Sequence, residues 1–200
     1  MIKFFEIEDS DPYCLYKNLY KKALAKKQKN IEAVCISSFN FRKNEVDSRY
    51  VNLKYIKKNK WYFYTNYKSQ KSKDFESHNQ VSATFFWHVL NIQIRIKAKI
   101  YKASTKESDQ HFINRKYEKN VLAVSSNQSK KIESYEAFKM KYKKNLKDFS
   151  KKDLKRPDYW GGYYIVPYYF EFWEGNENRL NKRKVFEISN NQWLPSILEP

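Results

Sequence analysis

The chain has 200 residues, 41% hydrophobic and 18% aromatic, and despite a mean hydropathy of −0.90 this is enough core-forming material to exclude a disordered chain. Forty Lys and Arg against 22 Asp and Glu leave a net charge of +18, which favours anionic partners, although lysines run through most segments as a solvated surface would have them. Cys14 and Cys35 stand far apart in no CxxC pattern, which speaks against a disulfide framework or zinc site, and no apolar run approaches the roughly 18 residues that span a bilayer. The expectation is one domain over residues 1–200 in a reducing, cytoplasmic setting, without a membrane partner.

In chain order, Asp11-Pro12 reads as an N-cap with proline in the first turn. It opens an amphipathic helix over about 11–28, with Leu15, Leu19 and Ala23 at four-residue spacing and Tyr16, Tyr20 and Leu24 beside them. Five segments rich in β-branched and aromatic residues follow, at 32–39, 49–56, 60–67, 81–88 and 92–101. The polar KKNK between the second and third predicts a hairpin turn, and IQIRIKAKI alternates with period two, as a strand with one wet face does. SQKSKDFESHN suits a short helix. Ser104-Thr105-Lys106-Glu107 has capping-box form and opens another helix, to which Phe112 and Ile113 supply apolar contacts. A third helix over about 132–149 would set Tyr135, Phe138, Tyr142, Leu146 and Phe149 on one face, before KKDLKRP breaks the pattern. Strand character returns in GYYIVPYYFEFWEG, RKVFEIS and QWLPSIL. Helices do not alternate regularly with strands, so a mostly antiparallel barrel with helices outside fits better than a doubly wound parallel sheet.

Much chemistry is missing. No GxGxxG or GxxxxGK[ST] occurs, and the three glycines, Gly161, Gly162 and Gly175, are clustered where neither motif could form. His78, His88 and His111 have no i,i+4 partner, so no metal site is expected. No serine lies in a GxSxG elbow. An enzyme built from this sequence would take its reactive group from a bound cofactor.

Trp160-Gly-Gly-Tyr-Tyr-Ile-Val-Pro, then Glu171-Phe-Trp-Glu-Gly, then Arg179-Leu-Asn-Lys-Arg183 and the close from Trp193 to Leu198-Glu199-Pro200 form a signature over 156–200. It resembles the C-terminal signature of the pyridoxamine 5'-phosphate oxidases, with the same spacing. Upstream, Arg49-Tyr50-Val51-Asn52-Leu53-Lys54 is similar to the family's R-x-V-L-L-K and Phe63-Tyr64-Thr65-Asn66 to its F-Y-T-N. Ser69-Gln70-Lys71 stands at its S-R-K, Trp87 at its P-W, Gln93 at its R-Q and Gln128-Ser129 at its Q-S, so the match runs from about residue 11 to the end.

The resemblance implies an antiparallel split β-barrel with peripheral helices, binding FMN at the interface of a homodimer. It implies cofactor contacts from Arg49 to Lys54, and from Tyr64, Thr65, Gln70, Lys71, Gln93, Gln128 and Ser129, with Trp173 and Arg183 reaching the flavin from the other subunit. Arg49, Lys71 and Ser129 have the charge-assisted donors that a phosphate dianion needs. For substrate, it implies Lys54, His111, Arg115 and Lys119 at a phosphate and Arg179 and Asn181 over the ring, with Arg179, Lys54 and Arg115 the residues that orient it for reaction. The implied reaction is oxidation of a phosphorylated B6 vitamer, pyridoxamine or pyridoxine 5'-phosphate, by FMN and then dioxygen.

Gln70 and Ile92 replace arginines of the family pattern, and His111, Lys119 and Asn181 replace a tyrosine, a serine and a histidine around the substrate. Two other readings follow: an FMN oxidase with another substrate, like the related phenazine-biosynthesis oxidases, and a non-catalytic flavin or nucleic-acid binder using the +18 charge. The glycines are expected to permit close backbone approach or a barrel corner at 161 and 162, and a turn at 175.

Overall fold

The computed structural model describes residues 1–150 and 154–200; the first three residues of the KKDLKRP run lie outside them. Ten strands form one sheet: β1 (Lys3–Phe5), β2 (Ala33–Asn40), β3 (Glu45–Asn52), β4 (Tyr55–Lys57), β5 (Lys60–Asn66), β6 (Gln80–Trp87), β7 (Ile92–Lys102), β8 (Trp160–Glu174), β9 (Lys182–Ser189) and β10 (Gln192–Leu198). The helices are α1 (Asp11–Ala25), α2 (Gln70–Ser77), α3 (Thr105–Ile113), α4 (Tyr117–Ser125) and α5 (Tyr135–Asp148). The path runs β1-β4-β5-β8-β7-β6-β2-β3, and β9 and β10 branch from the far half of β8. All pairings are antiparallel except β1 with β4. The sheet curls until β3 comes back against β5 without pairing to it, so the barrel is split. Among the described residues no helix is long and apolar enough to cross a membrane.

Period-two alternation decides which side chains enter the core. On β7, Ile92, Ile94, Ile96, Ala98 and Ile100 are buried, while Arg95, Lys97 and Lys99 face water. Helix α1 lays Tyr13, Tyr16 and Tyr20 on Trp61, Phe85, Trp87 and Phe170, with ring centroids 4.4–6.1 Å apart. The tyrosines, more than Leu15 and Leu19, make the buried face, because positions 13, 16, 20 and 23 share the side of the helix turned to the sheet. Pro167 pairs with Ala98 in a central strand, next to the bulge that β8 makes at Tyr168 against β7, the kind of place where a strand tolerates proline.

Several local expectations change. The N-cap of α1 is Ser10, with Asp11 and Pro12 inside the first turn, where a proline lacking its N–H is tolerated. The single strand expected over 49–56 breaks at Leu53-Lys54 into β3 and β4, since Leu53 must dive into the core while Lys54 hydrogen-bonds through its N–H to the Tyr62 carbonyl, 2.8 Å away. The segment 115–131, unassigned in the sequence, contains α4. The face expected on α5 is only half-covered: Phe138, Tyr142 and Leu146 lean on α4, but Tyr135 is 66% exposed.

With so few glycines, asparagine takes six of the eleven left-handed backbone positions among the described residues. Asn30, Asn44, Asn91, Asn178, Asn190 and Asn191 all have φ between 49° and 54° or at 61°. The Asn190-Asn191 pair makes the tight turn between β9 and β10. None of the three glycines has a positive φ; they are needed for closeness. A Cβ on Gly162 would lie 2.8 Å from the Ala103 Cβ and 3.0 Å from the Tyr64 ring, and one on Gly175 would lie 2.2 Å from the Asn91 amide nitrogen. Gly162→Ala should therefore force Tyr64 or Ala103 aside and destabilise the chain by about 1–3 kcal/mol, lowering the melting temperature by several degrees. An unchanged melting curve would contradict this packing.

Candidate active site

Strand β5 carries two consecutive residues, Tyr64 and Thr65, whose side chains leave it on opposite faces. On the Thr65 side stands a polar cluster. The Lys71 ammonium, only 9% exposed, lies 3.4 Å from Thr65 Oγ1 and 3.3 Å from Ser69 Oγ and has no carboxylate within ion-pair distance among the described residues. Burial and the neighbouring Arg49 both pull its pKa down. Gln128 accepts long hydrogen bonds, both 3.4 Å, from Thr65 Oγ1 and the Asn66 N–H. Ser129 is exposed beside it with φ at 69°.

Arg49 is fixed from β3 by Ser38 Oγ at 2.6 Å, Asp47 at 2.7 Å and Asp74 at 3.1 Å. Asp74, 1% exposed, also accepts from Asn40 at 2.8 Å, Gln70 at 3.0 Å and Ser38 at 3.2 Å. One carboxylate on α2 thus ties together β2, β3 and the first turn of its own helix. Of the remaining residues in the 49–54 run, Tyr50 and Asn52 are exposed, Val51 is half-buried and Leu53 is in the core.

On the Tyr64 side, the His111 ring stacks on Tyr64 at 3.6 Å and 11°, and Trp160 lies parallel to both, within 6.2 Å. Arg115 sits over the Trp160 ring at 4.4 Å and donates to Asn120 Oδ1 at 3.3 Å. Burial, and after it the charges of Arg115, Lys54 and Lys119, press the His111 pKa down to about 3. Burial lowers Arg115 to about 10, and burial with the Lys119 and Arg115 charges lowers Lys54. A cavity of about 790 Å³, lined in part by Lys3, Tyr55, Tyr64, Glu107 and His111, opens alongside.

The remaining residues lie elsewhere. Gln93, Trp173 and Arg183 face one another in a row across β7, β8 and β9. Arg183 is held at 2.9 Å by the buried Glu171, which also takes Arg95 at 2.8 Å and the Tyr169 hydroxyl at 3.0 Å. Arg179 is exposed in the turn before β9 with φ at 61°, and Asn181 Oδ1 accepts the Asn176 N–H at 3.2 Å. Gly162, under Tyr64, and Trp173 are eleven residues apart on β8, about 36 Å of strand at 3.3 Å per residue. Among the described residues no hydrogen bond, ion pair or ring contact joins Gln93, Trp173 or Arg183 to Tyr64 or Lys71. Strand pairing sets Gln93 directly beside Trp173.

Sequence reasoning missed Asp74, Tyr55 and Glu171 as supports. Asp74 had a legible signal, four residues beyond Gln70 on one helix face. Tyr55 had none, since its contact to His111 spans 56 positions.

The open, curled sheet with helices outside is a split β-barrel, and comparison with known proteins narrows the class. Residues 20–145 match the family model described as pyridoxamine 5'-phosphate oxidase, and residues 160–200 match that of the pyridoxine 5'-phosphate oxidase C-terminal dimerisation region. A pyridoxine/pyridoxamine 5'-phosphate oxidase of Leptospira biflexa is 35% identical over 190 residues, 95% of this chain and 89% of its own. One of Colwellia psychrerythraea is 37% identical over 84% of this chain and 77% of its own. Among solved structures, PhzG of Burkholderia lata in complex with tetrahydrophenazine-1-carboxylic acid shares the fold at a TM-score of 0.88 and 23% identity, covering 96% of this chain and 93% of that one. An FMN binding protein of Nostoc punctiforme, related to pyridoxamine 5'-phosphate oxidase, shares it at 0.75 and 12% identity, covering 92% of this chain and 97% of that one. The chain belongs to the pyridoxamine 5'-phosphate oxidase family.

Asp74→Ala should leave Arg49 without its buried counter-charge and cost about 3–5 kcal/mol, as removal of one partner of a buried pair does. Urea denaturation measures this, and a loss below about 1 kcal/mol would show that Asp74 does not hold the cluster.

Proposed function

We propose that the chain, as a single 1–200 domain paired in a homodimer, binds FMN and oxidises pyridoxamine or pyridoxine 5'-phosphate to pyridoxal 5'-phosphate, with dioxygen as the final electron acceptor. The observation that carries this reading is the buried Lys71 ammonium, whose only close partners among the described residues are hydroxyls. A buried charge without a counter-charge is costly, and the dianionic phosphate of FMN has the chemistry to offset it. Arg49 adds a guanidinium, and Gln70 and Lys71 lie in the first turn of α2, whose N–H groups have no helical acceptor. The donor set fits the cofactor.

Bound FMN would supply the two-electron acceptor for a hydride from C4' of the vitamer. Tyr64, Thr65 and Gln128 of one chain, with Gln93, Trp173 and Arg183 of the other, would hold its ring system. Ser129, and the backbone from Tyr50 to Leu53, would line the same cleft. Lys54, Arg115 and Lys119 would bind the substrate phosphate, together with His111, as charge-assisted donors. Arg179 and Asn181, entering from the second chain, would cover the pyridine ring and set C4' over the flavin. The chain's contribution to rate is then orientation and the exclusion of water.

His111, Lys119 and Asn181 favour one alternative, the same cofactor with another substrate. A panel of amines and alcohols with and without a phosphate, read by hydrogen peroxide release, separates the two: turnover confined to the two phosphorylated vitamers supports the proposal, and inactivity on both removes it. Arg179→Ala should lower kcat by about 10-fold or more while FMN affinity stays within about twofold of wild type. Unchanged turnover would remove Arg179 from the reaction.

A further inference from the structure

His111 is an unusual donor for an anion. An imidazolium would attract phosphate, but this ring is surrounded by cations: Lys3 from β1, Lys54 before β4, Arg115 after α3 and Lys119 on α4. Tyr64 covers one face. Glu107, one turn earlier on α3, is already engaged by the Tyr62 hydroxyl at 2.8 Å and by Ser104. The last turn of a helix ordinarily favours a protonated histidine, but four cations and burial outweigh it, and the pKa falls to about 3. The ring is neutral at any working pH and has one N–H to offer.

Which nitrogen carries that proton depends on the bond at the other. His111 Nδ1 lies 2.7 Å from the Tyr55 hydroxyl, and the two rings meet edge to face at 5.3 Å and 85°. A phenol O–H is a far stronger acid than a neutral imidazole N–H, and an imidazole nitrogen is a far better acceptor than a phenol oxygen. Burial of Tyr55 raises its pKa and keeps the hydroxyl protonated. The phenol therefore donates to Nδ1, and the ring proton is left on Nε2, which has no protein partner among the described residues.

From this geometry we infer that Tyr55 is a positioning residue, which locks His111 in the Nε2–H tautomer and so makes a neutral imidazole a hydrogen-bond donor to the substrate phosphate. The inference rests on the substrate site proposed above. It accounts for a histidine where four cations already supply charge: the added group contributes a directed N–H, with no fifth charge to desolvate. Because the imidazole is neutral, its own protonation does not change between pH 5 and 9.

The test uses the FMN-loaded dimer with 15N-labelled histidine, whose three histidines give a spectrum that His111→Gln assigns. The expected result is a neutral Nε2–H signal for His111, constant from pH 9 to 5, which moves on titration with inorganic phosphate while His78 and His88 do not respond. Tyr55→Phe should give mixed tautomers and raise KM for pyridoxine 5'-phosphate about three- to tenfold, with kcat within twofold, the scale of one hydrogen bond. A proton on Nδ1, or an imidazolium signal growing in near pH 6.5, overturns the inference whatever the substrate. An Nε2–H signal that phosphate leaves unmoved overturns the donor role. A signal that responds to phosphate, in protein that turns over neither vitamer, upholds the inference and removes the substrate reading instead.

Discussion

The cost of holding cations out of water shapes this molecule's polar half. Lys71 is nine-tenths buried with hydroxyls for company, and Arg115 and Lys54 are half-buried beside one another. Each of these would be more stable in solvent or against a carboxylate. The chain has carboxylates nearby and assigns them elsewhere: Asp74 anchors Arg49, Glu171 anchors Arg183 and Arg95, and Glu107 caps α3 and holds Tyr62. Acids thus fix the positions of some cations and leave others without an ion pair among the described residues, with Asp47 and Asp74 acting on Lys71, and Glu32 on Lys54, only at longer range. Two such groups lie on opposite faces of β5, next to Thr65 and next to Tyr64, a pairing suited to two phosphorylated ligands.

Strand β8 imposes the second constraint. Its first residues pass under Tyr64 so closely that only glycine fits, and its last residues carry Trp173 and lead to Arg183. A strand cannot fold back on itself within that length, so the two ends serve different neighbourhoods. The hairpin of β9 and β10, with Ile197 74% exposed, falls within the stretch that matches a dimerisation region. A second chain laid against that hairpin is the simplest way to bring an aromatic and an arginine to the first chain's cations.

Much of the fold was legible because its cues are local. Alternation in IQIRIKAKI, the Ser104 capping box and the KKNK turn before WYFYTNY each depend on a few neighbouring residues, and each lies where the pattern put it. Breaks were harder. Leu53-Lys54 reads as strand, but the core claims one side chain and the Tyr62 carbonyl claims the next N–H. Strand β1 has three residues and exists only because β4 pairs with it. Motif spacing named Arg49, Lys71 and Trp173 as candidates and the resemblance assigned Trp173 to the other subunit; the strand geometry adds that Trp173 stands at the far end of β8 from Gly162. Tyr55 could not be read at all, because its role depends on where α3 sets His111 down. The glycine cluster marked the right place for a reason the sequence could only half supply: steric closeness at all three positions, and no left-handed backbone.

The proposed function requires that each FMN site be made from the Lys71 region of one chain and the Trp173 end of another. Heterodimers of a Lys71→Ala chain with a Trp173→Ala chain test it, because both lesions then fall in one of the two sites. The account predicts weak FMN binding by either mutant homodimer and one tightly bound FMN per heterodimer, with wild-type affinity by fluorescence titration. A heterodimer that binds FMN as weakly as its parents would show that each chain builds its site alone, and would contradict the account.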